Sequence, residues 1–323
     1  MAKPVIQTEN LTKVYKTRGR EPFTALRNLD LTVQEGEIFG YLGPNGAGKT
    51  TTIRMLLDLI RPTKGHARIF GMDANAQSVE LHKQIGFLPG ELSLWRNQKS
   101  IDVIKYIGRL RGGVNMVYVN ELTEILQFDT SKRVREYSTG NKRKLGLIIA
   151  LMNQPKLLIL DEPTSGLDPL MQQQFNRLMR DFRANGGTVF LSSHVLSEVQ
   201  AICDRVGVLR GGELQAVERV EALTDAAFRW VNIRYQEAVR ILDDLKQVPD
   251  ISDLTVENNT VKLRISGDFD PLLRAATGQY VVSMDVIEPS LEEIFLAFYN
   301  EDKARVSREA LPKSENNTVK EVL

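Results

Sequence analysis

Gly43-Pro44-Asn45-Gly46-Ala47-Gly48-Lys49-Thr50 is the stretch whose reading decides the fold. It has the spacing G-x-x-x-x-G-K-[ST] of a phosphate-binding P-loop. The glycines let the backbone close into a tight cradle whose N–H groups face phosphate oxygens. A helix that starts at such a loop points its positive N-terminal end at the same phosphates. In this pattern Gly43, Pro44, Asn45, Gly46, Ala47 and Gly48 form the cradle and Lys49 reaches the β- and γ-phosphates. Thr50 ligates Mg²⁺, and Thr51 completes the loop. The surroundings fit the pattern. Ile38 to Leu42 is a short apolar strand, and Lys49 to Ile60 reads as a helix with Ile53, Leu56, Leu57 and Ile60 on one face.

A second stretch supplies the carboxylates such a loop needs. In Leu157-Leu158-Ile159-Leu160-Asp161-Glu162-Pro163 an apolar strand delivers two acids at its C-terminal end. That is the edge at which parallel α/β sheets bind ligands. Asp161 is suited to hold Mg²⁺, and Glu162 to orient and polarise an attacking water. Taken alone, the stretch could equally be a strand ending in a solvated acidic turn. Beside a P-loop, it reads as the metal carboxylate and the base of an ATPase.

Working outward, strands and helices alternate, as in a parallel α/β sheet. Leu29, Leu31 and Val33 alternate with Asp30 and Thr32, the pattern of a half-buried strand. Residues from about 95 to 152 look helical. Leu157 to Leu160 and Thr188 to Leu191 are strands buried on both faces, separated by a helix from Met171 to Arg183 that Asn185-Gly186-Gly187 ends. A second region starts near residue 225. There Val231, Ile233 and Tyr235 alternate, Ala238 to Leu245 is helical, and two strand-like runs flank a turn at Asn258-Asn259. Ser290 with Glu293 reads as a capping box before Ile294-Phe295-Leu296. The division expected is an ATPase domain over 1–218 with a helical part at about 91–152, a small α+β domain over 225–300, and a polar tail over 301–323 that is disordered or else a frayed helix.

Composition excludes some classes. The chain has 323 residues, 42% hydrophobic and 26% charged, with a formal net charge of +1. Nothing in that balance draws it to nucleic acid. The N-terminus shows no secretory h-region, and no apolar run approaches the ~18 residues a membrane span needs. The one cysteine, Cys203, reads as a buried structural thiol.

Three further segments say which kind of ATPase this is. Ser138-Thr139-Gly140-Asn141-Lys142 lies about twenty residues before Asp161, Ser165-Gly166-Leu167-Asp168 follows Glu162, and His194 follows the strand Val189-Phe190-Leu191. Over roughly residues 5 to 218, this order resembles the ATP-binding subunits of ABC transporters. The resemblance implies a P-loop NTPase core with a parallel sheet and a helical subdomain. It implies that Ser138 and Gly140 contact the γ-phosphate of an ATP held by a second ATPase subunit. Asp168 then couples the two sites, His194 contacts the γ-phosphate and the catalytic carboxylate, and Tyr15 stacks on adenine. It also implies ATP and Mg²⁺ as cofactors, a separate transmembrane permease subunit as partner, and a place at the cytoplasmic face of the membrane.

The form Tyr137-Ser138-Thr139-Gly140-Asn141-Lys142, in place of the family's usual Leu-Ser-Gly-Gly-Gln, is similar to the bacterial branch that exports drugs and antibiotics. So is the segment from Ser290 to Phe295. The family's usual glutamine, which touches Mg²⁺ and senses the membrane partner, has no match in Ile85-Gly86-Phe87-Leu88-Pro89-Gly90-Glu91-Leu92. Either Glu91 substitutes as a metal-facing carboxylate, or Gly90 aligns there and leaves the role empty. Trp95 falls where the membrane subunit docks in the family, though an ordinary core tryptophan fits as well. Lys142-Arg143-Lys144 reads as a solvated helix face, with a contact to phosphate or to the partner subunit as the less common alternative. The rival reading is a soluble ATPase of this type acting on nucleic acid or ribosomes. Only about ninety residues separate Lys49 from Ser138, with no sustained heptads, and a single set of motifs is present.

Overall fold

The computed structural model describes residues 3–16, 19, 21–225, 228–289 and 293. It divides into two compact units, Met1–Glu221 and Ala222–Leu323. The first opens with two long strands, β1 (Pro4–Tyr15) and β2 (Phe23–Gln34), then β3 (Ile38–Leu42) and α1 (Lys49–Leu56). Next come β4 (Lys64–Ile69), β5 (Met72–Asp73), α2 (Ser78–Gln84) and β6 (Ile85–Leu88). The helices α3 (Ser100–Leu110), α4 (Met116–Ile125) and α5 (Thr139–Leu151) follow, with a short 3₁₀ turn, Val134–Glu136, before α5. The unit closes through β7 (Leu157–Asp161), α6 (Pro169–Ala184), β8 (Thr188–Ser193), α7 (Leu196–Ile202), β9 (Arg205–Arg210) and β10 (Glu213–Arg219), with α8 (Val220–Asp225) at the boundary.

The central sheet has six strands in the order β10-β9-β3-β8-β7-β6. All neighbours are parallel except β10, which runs antiparallel at the edge. β3, β7 and β8 are buried at every position, as expected of strands covered on both faces. The register decides where the chemistry falls. Leu42 of β3 sits opposite Ser193 of β8, and Ser192 of β8 opposite Asp161 of β7. The P-loop, the Asp161-Glu162 pair and His194 therefore leave the same edge side by side. A second, antiparallel sheet, β2-β1-β4-β5, shares one apolar core with α1 and the central sheet, including Leu29, Val33, Ile53, Ile159 and Phe190. The alternation expected of Leu29, Leu31 and Val33 is observed, with all three buried and Asp30 and Thr32 exposed.

α5 lies against β6 at very short range, and two glycines permit it. A Cβ on Gly86 would meet the Ala150 carbonyl oxygen at 2.1 Å, and one on Gly146 would meet Leu88 Cδ1 at 2.5 Å. This contact fixes α5, and with it the Ser138–Gly140 segment, relative to the strands that carry the carboxylates.

The second unit runs β11 (Arg229–Tyr235), α9 (Leu242–Lys246), β12 (Ile251–Glu257), β13 (Thr260–Ile265), α10 (Phe269–Ala276) and β14 (Val281–Ile287). Its antiparallel sheet has the order β12-β13-β11-β14, a β-α-β-β-α-β arrangement. Val231, Ile233 and Tyr235 alternate as expected and pack with Leu263, Leu245 and Leu272. Period-two geometry then puts Trp230, Asn232, Lys262 and Arg264 on the other face, where the Lys262 ammonium lies 4.6 Å from the Trp230 ring centroid.

Several sequence expectations need correction. The first helix ends at Leu56, not Ile60, because Asp58 turns left-handed (φ 54°) and the Leu59 and Ile60 N–H groups both fold back to the Arg54 carbonyl. The region 95–152 is three helices, interrupted at Gly112-Gly113 (φ 92° and 122°) and between α4 and the 3₁₀ turn. The helix expected from Ala238 starts only at Leu242. Gln279 takes the backbone groups that a longer helix would use, accepting from Arg240 N and donating to the Ala238 carbonyl. Trp95 is not a core residue; it is 51% exposed. The Ser290 capping box and the 301–323 tail lie outside the described residues. Cys203 is buried, and burial pushes its thiol pKa up.

Leu263 is wholly buried at the centre of the second unit's core, so Leu263→Ala should cost about 2–5 kcal/mol there. Urea unfolding of a Trp95→Phe background, in which Trp230 is the remaining tryptophan, reads this as a lower midpoint of the Trp230 signal. An unchanged midpoint would contradict the packing described.

Candidate active site

The cradle is built by steric necessity. A Cβ on Gly43 would lie 2.3 Å from the Leu209 carbonyl oxygen, and one on Gly48 2.6 Å from that of Ala25, where φ is 110°. Only glycine fits either position. The Ala47 N–H donates to the Pro44 carbonyl, and Gly48 opens α1. Asn45 and Gly46 are exposed at the tip, with Gly46 at φ 81°. Thr51 is half-buried on the first turn of α1.

Lys49 is 6% exposed, and a buried ammonium must find partners. Its Nζ donates to the carbonyls of Gly43 (2.6 Å) and Pro44 (3.3 Å) and pairs with Glu162 Oε1 at 3.2 Å. The other Glu162 oxygen, Oε2, is 2.8 Å from His194 Nδ1. A carboxylate only accepts, so Nδ1 carries the proton and the remaining ring nitrogen is left for another group. Glu162 thus bridges Lys49 and His194. It does so from a left-handed backbone (φ 49°), a conformation that costs a non-glycine residue roughly 1–3 kcal/mol and persists only where its surroundings hold it.

Asp161 is 3% exposed and takes two hydroxyl donors. Thr50 Oγ1 donates to Oδ2 (2.9 Å), and Ser192 Oγ donates to Oδ1 (2.6 Å). Ser192 also accepts from the Glu162 N–H at 3.1 Å, so one fully buried hydroxyl orients both acids. Thr50 and Asp161 together offer the hard oxygen donors that suit Mg²⁺, which needs few carboxylates because it keeps several waters. Among the described residues no cluster of three or more His, Cys, Asp or Glu exists to form an all-protein cage.

The structure thus brings Lys49, Thr50, Asp161, Glu162 and His194 together. Among the described residues, Tyr15, Ser138, Gly140 and Asp168 make no hydrogen bond or ion pair with that cluster. Ser138 caps α5, its Oγ accepting from Asn141 N at 3.3 Å, and is exposed. A Cβ on Gly140 would meet the Gly166 carbonyl oxygen at 3.4 Å. Asp168 caps α6, accepting from Met171 N at 2.9 Å. Tyr15 ends β1, with the Lys13 ammonium 5.2 Å from its ring centroid. Of the two alternatives for the missing glutamine, Gly90 is the residue that faces Asp161: a Cβ there would stand 3.2 Å from Oδ2. The Glu91 side chain is exposed and makes no hydrogen bond or ion pair among the described residues.

Two residues that organise this cluster are not evident from sequence alone. Read from sequence, Ser192 has no role of its own. Arg143 reads as part of a solvated basic face, yet it is 4% exposed. Its Nη1 donates to the carbonyls of Pro89 (2.7 Å) and Gly90 (2.8 Å), its Nε to that of Pro163 (3.3 Å), and its Nη2 to those of Asp161 (3.0 Å) and Glu162. Burial pushes its pKa down, opposed by the two nearby carboxylates. The apolar positions 145, 147, 148, 150 and 151 of α5 carry a signal, since they leave little of that helix to face water.

The pattern of the family described as ABC transporter matches residues 26–165. Bacitracin transport ATP-binding protein BcrA of Bacillus licheniformis is 33% identical over 300 residues, covering 90% of this chain and 96% of that protein. Linearmycin resistance ATP-binding protein LnrL of Bacillus subtilis (strain 168) is 29% identical, covering 90% and 97%. The dimeric post-hydrolysis state of the ATP-binding cassette MJ0796, bound to ADP and Pi, shares the fold with a TM-score of 0.62 and 23% identity, over 67% of this chain and 98% of that one. With a relative 33% identical that matches over nearly its whole length and the family pattern over residues 26–165, the chain belongs to the ABC transporter ATP-binding proteins and is an ATPase of that family.

Proposed function

We propose that this chain is the motor of an exporter. It binds ATP and Mg²⁺, pairs with a second ATPase subunit, and drives a separate transmembrane permease from the cytoplasmic face of the membrane. The observation that carries the chemical part is the convergence of Lys49, Glu162 and His194 with the Thr50–Asp161 pair. The loop Gly43 to Thr51 cradles the phosphates, and Lys49 exchanges Glu162 for phosphate oxygens of higher charge. Glu162, released on one side and held by His194 on the other, accepts a proton from the attacking water. Thr50 and Asp161 would hold Mg²⁺, which would neutralise charge on the phosphates when bound. Tyr15 stacks on adenine. Ser138 and Gly140 complete the site of the opposite subunit, with the positive end of α5 aimed at its phosphate, and Asp168 couples the two sites. The binding energy of ATP drives closure by differential affinity for the closed pair.

Among the described residues no helix is long and apolar enough to cross a membrane. Trp95 and Tyr106, 51% and 50% exposed and packed edge to face at 5.3 Å, support a docking surface for the permease. The relatives named for bacitracin transport and linearmycin resistance support antibiotic-type compounds as cargo. The chain is read as organised into the ATPase domain 1–218, the accessory domain 225–300 and the tail 301–323.

Replacing Glu162 by Gln should leave ATP binding intact and lower steady-state phosphate release by about 10²–10⁴-fold; undiminished release would remove Glu162 as the base. In that slow background, ATP should shift the protein to a dimer on size exclusion, and adding Ser138→Arg should return it to the monomer. A dimer that persisted with Arg at that position would exclude Ser138 from the interface.

A further inference from the structure

We infer that Arg143 is a positioning residue for the catalytic carboxylate: from the helix that presents Ser138 and Gly140, its guanidinium holds the Glu162 peptide in its left-handed conformation. The inference rests on Glu162 being the base. Arg143 lies on the first turns of α5 and spends all three of its nitrogens on backbone carbonyls. Three of those carbonyls, of Asp161, Glu162 and Pro163, are consecutive at the end of β7. The Asp161 and Glu162 carbonyls belong to the peptide units on either side of Glu162 Cα, and both accept from Nη2. Two acceptors on one nitrogen fix the orientation of both units, and so the φ of 49° between them. That backbone turn directs the Glu162 carboxylate to Lys49 and His194.

The same guanidinium has a second grip. Nη1 holds the carbonyls of Pro89 and Gly90, and Gly90 is the residue facing the Asp161 carboxylate. One side chain therefore joins three segments: the helix of the opposite-site serine, the strand end that carries the base, and the loop after β6. Arginine suits this task because its planar fork offers five N–H donors in fixed directions and stays charged when buried. A lysine, with three donors on one nitrogen, cannot span both segments. Arg143 makes no hydrogen bond or ion pair with any carboxylate oxygen among the described residues; its burial is satisfied by carbonyl dipoles that must be in this one arrangement to receive it. In the closed pair, loss of this brace frees the Glu162 peptide to leave its strained conformation while the phosphate cradle of Gly43 to Thr51 stays intact.

The test is a double-mutant cycle on the full chain with Mg²⁺ and saturating ATP, using Arg143→Gln, Arg143→Lys and Glu162→Gln. Arg143→Gln should lower kcat tenfold or more with KM for ATP within threefold, and Arg143→Lys should recover only part of the loss. Combined with Glu162→Gln, either change should lower residual phosphate release, followed over hours, by less than threefold. If Arg143→Gln fails to fold, as judged by circular dichroism, the Lys variant decides. A kcat within threefold of the parent, a rise in KM that accounts for the whole loss, or a loss that multiplies with that of Glu162→Gln overturns the assignment. Full turnover in Glu162→Gln alone removes the base itself, a failure distinct from that of Arg143.

Discussion

The in-register parallel pairing of β3, β8 and β7 is the constraint on which the rest of the molecule depends. Because Leu42 meets Ser193 and Ser192 meets Asp161, three loops of unrelated sequence emerge on one line. No loop could bring Lys49, Glu162 and His194 within hydrogen-bonding range by itself. The continuous apolar runs of these strands exist to bury the pairing on both faces, and the glycines at 43 and 48 exist because backbone passes within 2.3 and 2.6 Å of where their Cβ atoms would be. Packing thus comes first, and the polar cluster sits on what packing has aligned.

That cluster is a set of charges with few ways to be satisfied. Lys49 and Asp161 are nearly without solvent; Lys49 Nζ has three oxygen partners, and each Asp161 oxygen accepts from one hydroxyl. Charge-assisted bonds of this kind contribute about 1.5–3 kcal/mol each, and leaving one partner unpaired costs comparably. Glu162 is the one member with a divided allegiance, between a cation that phosphate can claim and an imidazole at the protein surface. In the function proposed above, this carboxylate changes partners when the substrate arrives and acts as the base. The left-handed turn under it gives the carboxylate its direction; Ser192 accepts from its N–H, and Arg143 donates to the carbonyls of Asp161 and Glu162.

Much of this was legible in the sequence because spacing encodes it. The P-loop glycines, the apolar run into Asp161-Glu162 and the strand before His194 each announce their structural context, and their order names the family. What was hidden is what spacing does not carry. Arg143 sits between two lysines and reads as solvent-facing until β6 and β7 are placed around it. Ser192 is one of two adjacent serines, and only the register with Asp161 separates them. The helix bounds at Leu56 and Leu242 were set by a left-handed Asp58 and by a distant Gln279, both tertiary effects. The replaced glutamine is a gap in a pattern, and only the approach of Gly90 to Asp161 shows which residue faces the acid.

The central claim is that one ATP is shared between the cradle of one chain and the α5 N-terminus of another, with Glu162 poised between Lys49 and His194. An experimental structure of the Glu162→Gln protein with ATP and Mg²⁺ tests it most directly. The account predicts two chains face to face, each nucleotide between Gly43–Thr51 of one and Ser138–Gly140 of the other. Lys49 should have moved onto phosphate, with the substituted glutamine side chain still beside His194. A nucleotide bound within a lone chain, or a pairing that leaves Ser138 in solvent, would contradict it.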